Sequence, residues 1–119
     1  MEYALVMDKE HRGLRFAFSA SAEIAPESSG AAFIPARVTE LSLRGCFLET
    51  SASFEKQRPV FLKIYNSGEY FEAPASVLYV MSSGLGLVFR EIKPHFRVVL
   101  QNWVLAALDK QSQAQPIPD

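Results

Sequence analysis

The chain has 119 residues, 49% of them hydrophobic and 21% charged, which suits one domain with a buried core and excludes wholesale disorder or low complexity. Lys plus Arg is 12 against 13 for Asp plus Glu, a net charge of −1. That balance excludes bulk attraction to nucleic acid or anionic membranes, so any anion site must come from a local cluster of bases.

Met1 to Glu10 mixes apolar and charged residues without a period and reads as an N-terminal arm. From Leu14 to Ile24, residues Phe16, Phe18, Ala20, Ala22 and Ile24 recur at every second position, the period of a strand with one buried face. Pro26 and Glu27-Ser28-Ser29-Gly30 end it as a turn. Phe33 to Leu41 predicts a second strand and Arg44 to Thr50 a third, with a tight corner at Leu41-Ser42-Leu43-Arg44-Gly45. After a polar loop, Ser51 to Arg58, Val60, Leu62 and Ile64 alternate against Phe61, Lys63 and Tyr65 in a fourth strand. Asn66-Ser67-Gly68 is a hairpin turn. Tyr70 to Val80 predicts a long fifth strand with an edge or bulge at Pro74. Ser82-Ser83-Gly84 turns into a sixth, Leu85 to Phe89.

The period then changes. Pro94 suits the first turn of a helix, and Phe96, Val99, Leu100, Trp103, Val104, Ala107 and Leu108 fall at spacings of three and four. This apolar stripe must be covered by a mouth or face of the sheet. Lys110 to Asp119 is rich in Gln, Ser and Pro and is expected to be a disordered tail. The whole predicts a mainly β domain over residues 11–109. It is a small six-stranded antiparallel barrel capped by a C-terminal helix, although periodicity alone does not separate a closed barrel from a sandwich.

Few residues point to catalysis. A hydrolytic triad needs a nucleophile, a base and an orienting acid, and the two histidines, His11 and His95, flank no nucleophile. Gly84-Leu85-Gly86 enters a strand rather than a helix, so it reads as glycines that let a strand bend. The lone Cys46 sits in the apolar run Cys46-Phe47-Leu48 and reads as a small buried hydrophobe; it excludes a disulfide framework or a multi-cysteine zinc site. With no basic segment leading into an apolar run, and no stretch near the ~20 apolar residues a bilayer requires, the expectation is a soluble, cytoplasmic protein. No catalytic residue, metal or cofactor is expected.

What stands out is local. Lys9, His11, Arg12 and Arg15 cluster before the first strand, and Glu40-Leu41-Ser42-Leu43-Arg44-Gly45 sets an acid, a hydroxyl and a glycine at a strand corner. Guanidinium groups fork onto phosphate oxygens and onto guanine. A carboxylate accepts from the N1 and N2 hydrogens of guanine, a serine hydroxyl can reach a phosphate, and a glycine admits a ligand close to the backbone. Together these suit an anionic guanine nucleotide. Solvated surface arginines and ordinary turn chemistry are the competing reading.

From about His11 to Leu108 the sequence resembles the PilZ domain, the bacterial receptor module for cyclic di-GMP. Val38-Thr39-Glu40-Leu41-Ser42-Leu43-Arg44-Gly45-Cys46-Phe47-Leu48 is similar to the family's [DN]xSxxG motif and the strand after it, and Gly84-Leu85-Gly86-Leu87-Val88-Phe89 resembles its closing strand. The resemblance implies a cyclic di-GMP receptor in which Arg12 and Arg15 clamp the ligand, Glu40 reads a guanine edge, and Ser42 and Gly45 complete the floor. Binding would order the arm and present a new surface to a protein partner. Two positions depart from the pattern. His11 stands where the arm's RxxxR motif has its first arginine, with Arg12 beside it, and Glu40 stands where the family has Asp or Asn. Each departure is expected to weaken binding by roughly 1–2 kcal/mol. The alternative is a PilZ-like adaptor that does not bind the nucleotide and works through protein contacts. A third reading, a small barrel that stacks single-stranded nucleic acid on Phe16, Phe18, Tyr65, Tyr70 and Phe71, runs against the net charge of −1.

Overall fold

The computed structural model describes residues 15–28 and 30–114, with side chains described as far as Lys110. The strands are β1 (Phe16–Pro26), β2 (Ile34–Leu41), β3 (Gly45–Glu49), β4 (Pro59–Asn66), β5 (Glu69–Met81) and β6 (Gly84–Phe89), and the helix is α1 (Pro94–Ala114). Every pairing is antiparallel, and the sheet closes in the order β1-β2-β3-β6-β5-β4. Closure is what the alternation left open. A closed sheet has no free edge, so each strand's unpaired N–H and C=O groups find a partner on both sides.

The alternation becomes a core because the pleat sends every second side chain inward. Ile24, Val38, Leu48, Leu62, Ile64, Phe71 and Val77 are fully buried. One complete inward row crosses five strands through Phe16, Leu41, Cys46, Leu87 and Val77 in direct register, all of them buried. Burial pushes the Cys46 thiol up to about 12, so it carries no thiolate and acts as core.

The register shifts at three places: between Ala17 and Ala20 on β1, between Val38 and Glu40 on β2, and between Val77 and Tyr79 on β5. On β2 and β5 the extra residue turns the side chain after it toward the other face, whereas β1 keeps Phe16, Ala20, Ala22 and Ile24 buried on one face throughout. Pro74 is not bulged. Its carbonyl accepts from the Arg90 N–H at 2.9 Å, just past the last residue of β6. N–H and C=O of one residue point the same way in a strand, so the donor Pro74 lacks falls where β6 has already ended. The β4–β5 hairpin turns on Ser67 and Gly68, both at positive φ (52° and 79°), in the two-residue geometry that matches strand twist.

The helix begins with Pro94 at its first turn, and Arg97 N–H donates to the Lys93 carbonyl. Val99, Leu100, Trp103 and Val104 are buried against β1 and β5, and Phe96, Ala107 and Leu108 pack on the same core. The Trp103 ring meets Phe18 at 5.5 Å and Phe71 at 6.2 Å, and its indole N–H donates to Glu69 at 2.8 Å. Each of these large side chains contributes about 1.5–3 kcal/mol on burial, which fixes the helix on the barrel. The helix continues to Ala114, so residues 110–114 are helical rather than part of the expected tail. The rest of the tail, 115–119, and the arm, 1–10, lie outside the described residues.

On the outer face Tyr65 and Tyr70 are cross-strand partners 5.2 Å apart. Tyr65 donates to Glu23 and Tyr70 to Glu72. The hydrogen bond to Glu23 raises the Tyr65 pKa; burial first, and then the bond to Glu72, raises that of Tyr70. An unfolded tyrosine ionises near its ordinary value of 10.0 while the folded one keeps its proton. The stability carried by these bonds is therefore complete below pH 10 and is lost as pH rises through the higher folded value. Urea midpoints are expected to fall between about pH 9 and about pH 11, and to fall less in Tyr70→Phe; equal losses in both proteins would refute this assignment.

Candidate functional site

A second transverse row, displaced by one residue from the core row, runs along the outside of the barrel. Ala17, Glu40, Phe47, Gly86 and Tyr79 are register partners on β1, β2, β3, β6 and β5 in turn. The bulge before Glu40 and the bulge before Tyr79 bring both side chains onto this face. Gly86 leaves the room that the tyrosine ring fills, since a Cβ there would lie 2.3 Å from Tyr79 Cζ. Phe47 lies beside the ring, centroids 6.4 Å apart and planes inclined by 27°.

Arg15, immediately before β1, completes the group. Its guanidinium donates to the Tyr79 hydroxyl, lies 5.3 Å from the ring centroid, and stands 3.6 Å from the Glu40 carboxylate. The two charged side chains are 27% and 51% exposed, so the pair is accessible and its Coulomb energy is heavily screened. Three chemistries meet here: a flat aromatic surface, a forked donor for anions, and a carboxylate that accepts N–H bonds.

Ser42 and Gly45 take another place. Ser42 is 4% exposed. Its hydroxyl accepts from the Arg44 and Gly45 amides, each at 3.1 Å, and donates to the Gly45 carbonyl at 3.2 Å. The Ser42 N–H reaches the same carbonyl at 2.9 Å. All the bonding capacity of this side chain is spent in closing the corner, which sets the exposed Arg44 at its tip. Gly45 is a close-approach residue, because a Cβ there would lie 1.9 Å from the Leu87 carbonyl oxygen. The structure thus brings Arg15 and Glu40 together on the surface and buries Ser42 and Gly45 as the frame of the corner. Arg12 and His11 lie outside the described residues.

Sequence reasoning missed Tyr79 and Phe47. By strand alternation Tyr79 continues Phe71, Ala73, Ala75 and Val77, all of which face the core. Only the bulge at Leu78 turns it outward. The single available signal was Gly86 opposite an aromatic residue, a pairing in which the ring covers the glycine. The aromatic residues considered for stacking single strands are mostly spent elsewhere: Phe16 and Phe71 are buried, and Phe18 packs on Trp103. Among the described residues no three His, Cys, Asp or Glu stand together as a metal site, and no helix is long and apolar enough to cross a membrane.

The described residues thus form a closed six-stranded antiparallel barrel with a C-terminal helix and a polar and aromatic cluster on its outer wall. The PilZ domain family matches residues 8–106, and the chain belongs to it. Solved structures share the fold at low identity. The PilZ domain of YcgR from Escherichia coli, determined with c-di-GMP, matches with a TM-score of 0.66 at 13% identity, over 88% of this chain and 96% of that one. The PilZ domain of CeSA from a cellulose-synthesizing bacterium gives 0.61 at 14%, over 82% and 97%. MotI (DgrA), the inhibitor of motility of Bacillus subtilis, gives 0.67 at 17%, over 85% of this chain and 50% of that one, so the chain spans half of that protein's length. No curated protein matches the chain.

Proposed function

We propose that this chain is a cyclic di-GMP-binding receptor module, not an enzyme, acting in the cytoplasm on a protein partner. The observation that carries the reading is the meeting of Arg15, Glu40 and Tyr79 on one accessible face, with Arg12 three residues before Arg15 in the sequence. In this reading the Arg15 guanidinium leaves Glu40 and takes a phosphate or a guanine face. Glu40, so released, accepts from a guanine edge, and Arg12 supplies the second guanidinium. Ser42 and Gly45 act by holding the corner rigid, which keeps the Glu40 backbone in place. Residues 11–109 form the module, and ligand binding draws the arm onto the barrel and changes the surface offered to the partner.

The test is isothermal titration of the protein with cyclic di-GMP at physiological salt, with GMP as control. Saturable binding below about 100 μM, with no response to GMP, is the expected result. Absence of heat throughout that range would overturn it and favour the adaptor reading, for which one feature already speaks. Arg15 and Glu40 neutralise each other without a ligand, and any nucleotide must first break that pair.

A further inference from the structure

A cleft of about 200 Å³ lies outside that site, on the outer wall of β4 and β5 where α1 begins. Phe61 and Phe96 form its apolar walls with Pro74, and Glu72, Glu91 and Lys93 stand around it. The volume is too small for a nucleotide or a drug-sized ligand, which take about 300–1,000 Å³. It is the size of a single side chain.

The charges say which one. Two carboxylates and one ammonium line the cleft, and Lys63, the register partner of Glu72, stands over the Phe33 ring outside it, so the lining itself is net acidic. Glu72 is held in place because one oxygen accepts the Tyr70 hydroxyl, and Tyr70 in turn packs edge-on against Phe96 at 5.7 Å. Glu91 is exposed and makes no ion pair among the described residues; Arg15–Glu40 and Arg90–Glu27 are the pairs found there. Aromatic walls beside carboxylates favour a planar guanidinium, which stacks on a ring while it forks onto oxygen, over an ammonium, which does neither as well. This surface already holds one cation over a ring, with Lys63 Nζ 4.1 Å from the Phe33 centroid. Phe61 also lines a neighbouring apolar cleft of about 400 Å³ together with Pro26, Ala31 and Phe33. The two clefts share the Phe61 ring, so one occupant can reach both.

We propose that this face docks an extended segment of a protein partner. An arginine of that segment enters between Phe61 and Phe96 and meets Glu72 and Glu91, and an apolar neighbour fills the Phe33–Phe61 cleft. The proposal is independent of cyclic di-GMP binding, since no residue is shared with the Arg15 face.

The experiment is an NMR titration of the ¹⁵N-labelled full chain with acetyl-Leu-Arg-Leu-amide. Its controls are the same peptide with lysine, or with uncharged citrulline, in place of arginine. Saturable shifts at Phe61, Glu72, Ala73 and Phe96 are expected with arginine, weaker ones with lysine and none with citrulline. Glu91→Gln, an exposed change that leaves the core alone, is expected to weaken the arginine peptide about fivefold, and Arg15→Ala to leave it unchanged. Equal shifts from the citrulline peptide would overturn the proposal, because the cleft would then select apolar chain without regard to charge. Unaltered binding by Glu91→Gln, or no saturable shift at all, would also overturn it. So would shifts at these residues on raising the protein concentration alone, which would assign the cleft to a second copy of the chain.

Discussion

Arg15→Ala is expected to lower cyclic di-GMP affinity at least about 100-fold while leaving the barrel as stable as before. The size follows from what the side chain does. A guanidinium that forks onto a phosphate makes two charge-assisted hydrogen bonds, each worth about 1.5–3 kcal/mol, so losing both costs a factor of 100 or more. The unchanged stability follows from exposure. The Arg15–Glu40 pair is 27% and 51% exposed, and such pairs contribute at most about 1 kcal/mol. The melting temperature should therefore move by no more than about 4 °C. Arg15→Lys keeps the charge and loses the fork, so it should fall between the two. Titration calorimetry on the three proteins, with thermal melts beside it, reads both quantities. Affinity unchanged in Arg15→Ala would remove Arg15 from the site. Affinity lost together with stability would make it a structural residue.

The strands were legible because burial on one face writes a period of two into the sequence, and the helix because its stripe writes a period near three and a half. Closure was not legible, since the same alternation serves a sandwich; it depends on β1 finding β4, a pairing that no local signal encodes. The bulges were hidden for a related reason. Val77, Leu78 and Tyr79 look like an unbroken strand, and the extra residue shows only once Gly86 is placed opposite Tyr79. Arg15 and Glu40 were legible as chemistry by their charge and position. Ser42 and Gly45 were legible as a pair at a corner, but their work was not: a hydroxyl that serves a ligand and one that closes a turn are the same residue in the sequence. The helix outran its expected end because Gln111, Gln113 and Ala114 are good helix formers, and composition alone had assigned them to the tail.

Gly45→Ala tests that distinction directly. A Cβ at Gly45 would meet the Leu87 carbonyl oxygen at 1.9 Å and the Val88 Cα at 3.1 Å. These are backbone atoms of the paired strand, so no side chain can swing aside and the β3–β6 ladder itself must part. Overpacking of this kind typically costs about 1–3 kcal/mol where side chains can yield and more where they cannot, so a loss of about 3 kcal/mol is expected, or about 12 °C in the melting temperature. Gly84 supplies the matched control. A Cβ there would lie 2.1 Å from the Leu48 carbonyl oxygen on the same ladder, yet Gly84 is no part of the strand corner. Gly84→Ala should therefore cost about as much as Gly45→Ala. Urea denaturation of both variants decides the matter. Similar losses assign Gly45 to the closeness of β3 and β6, and the remaining folded protein should still bind ligand in proportion to its amount. A Gly45→Ala protein as stable as the parent, but with binding lost, would instead show that the glycine exists to admit the nucleotide to the backbone.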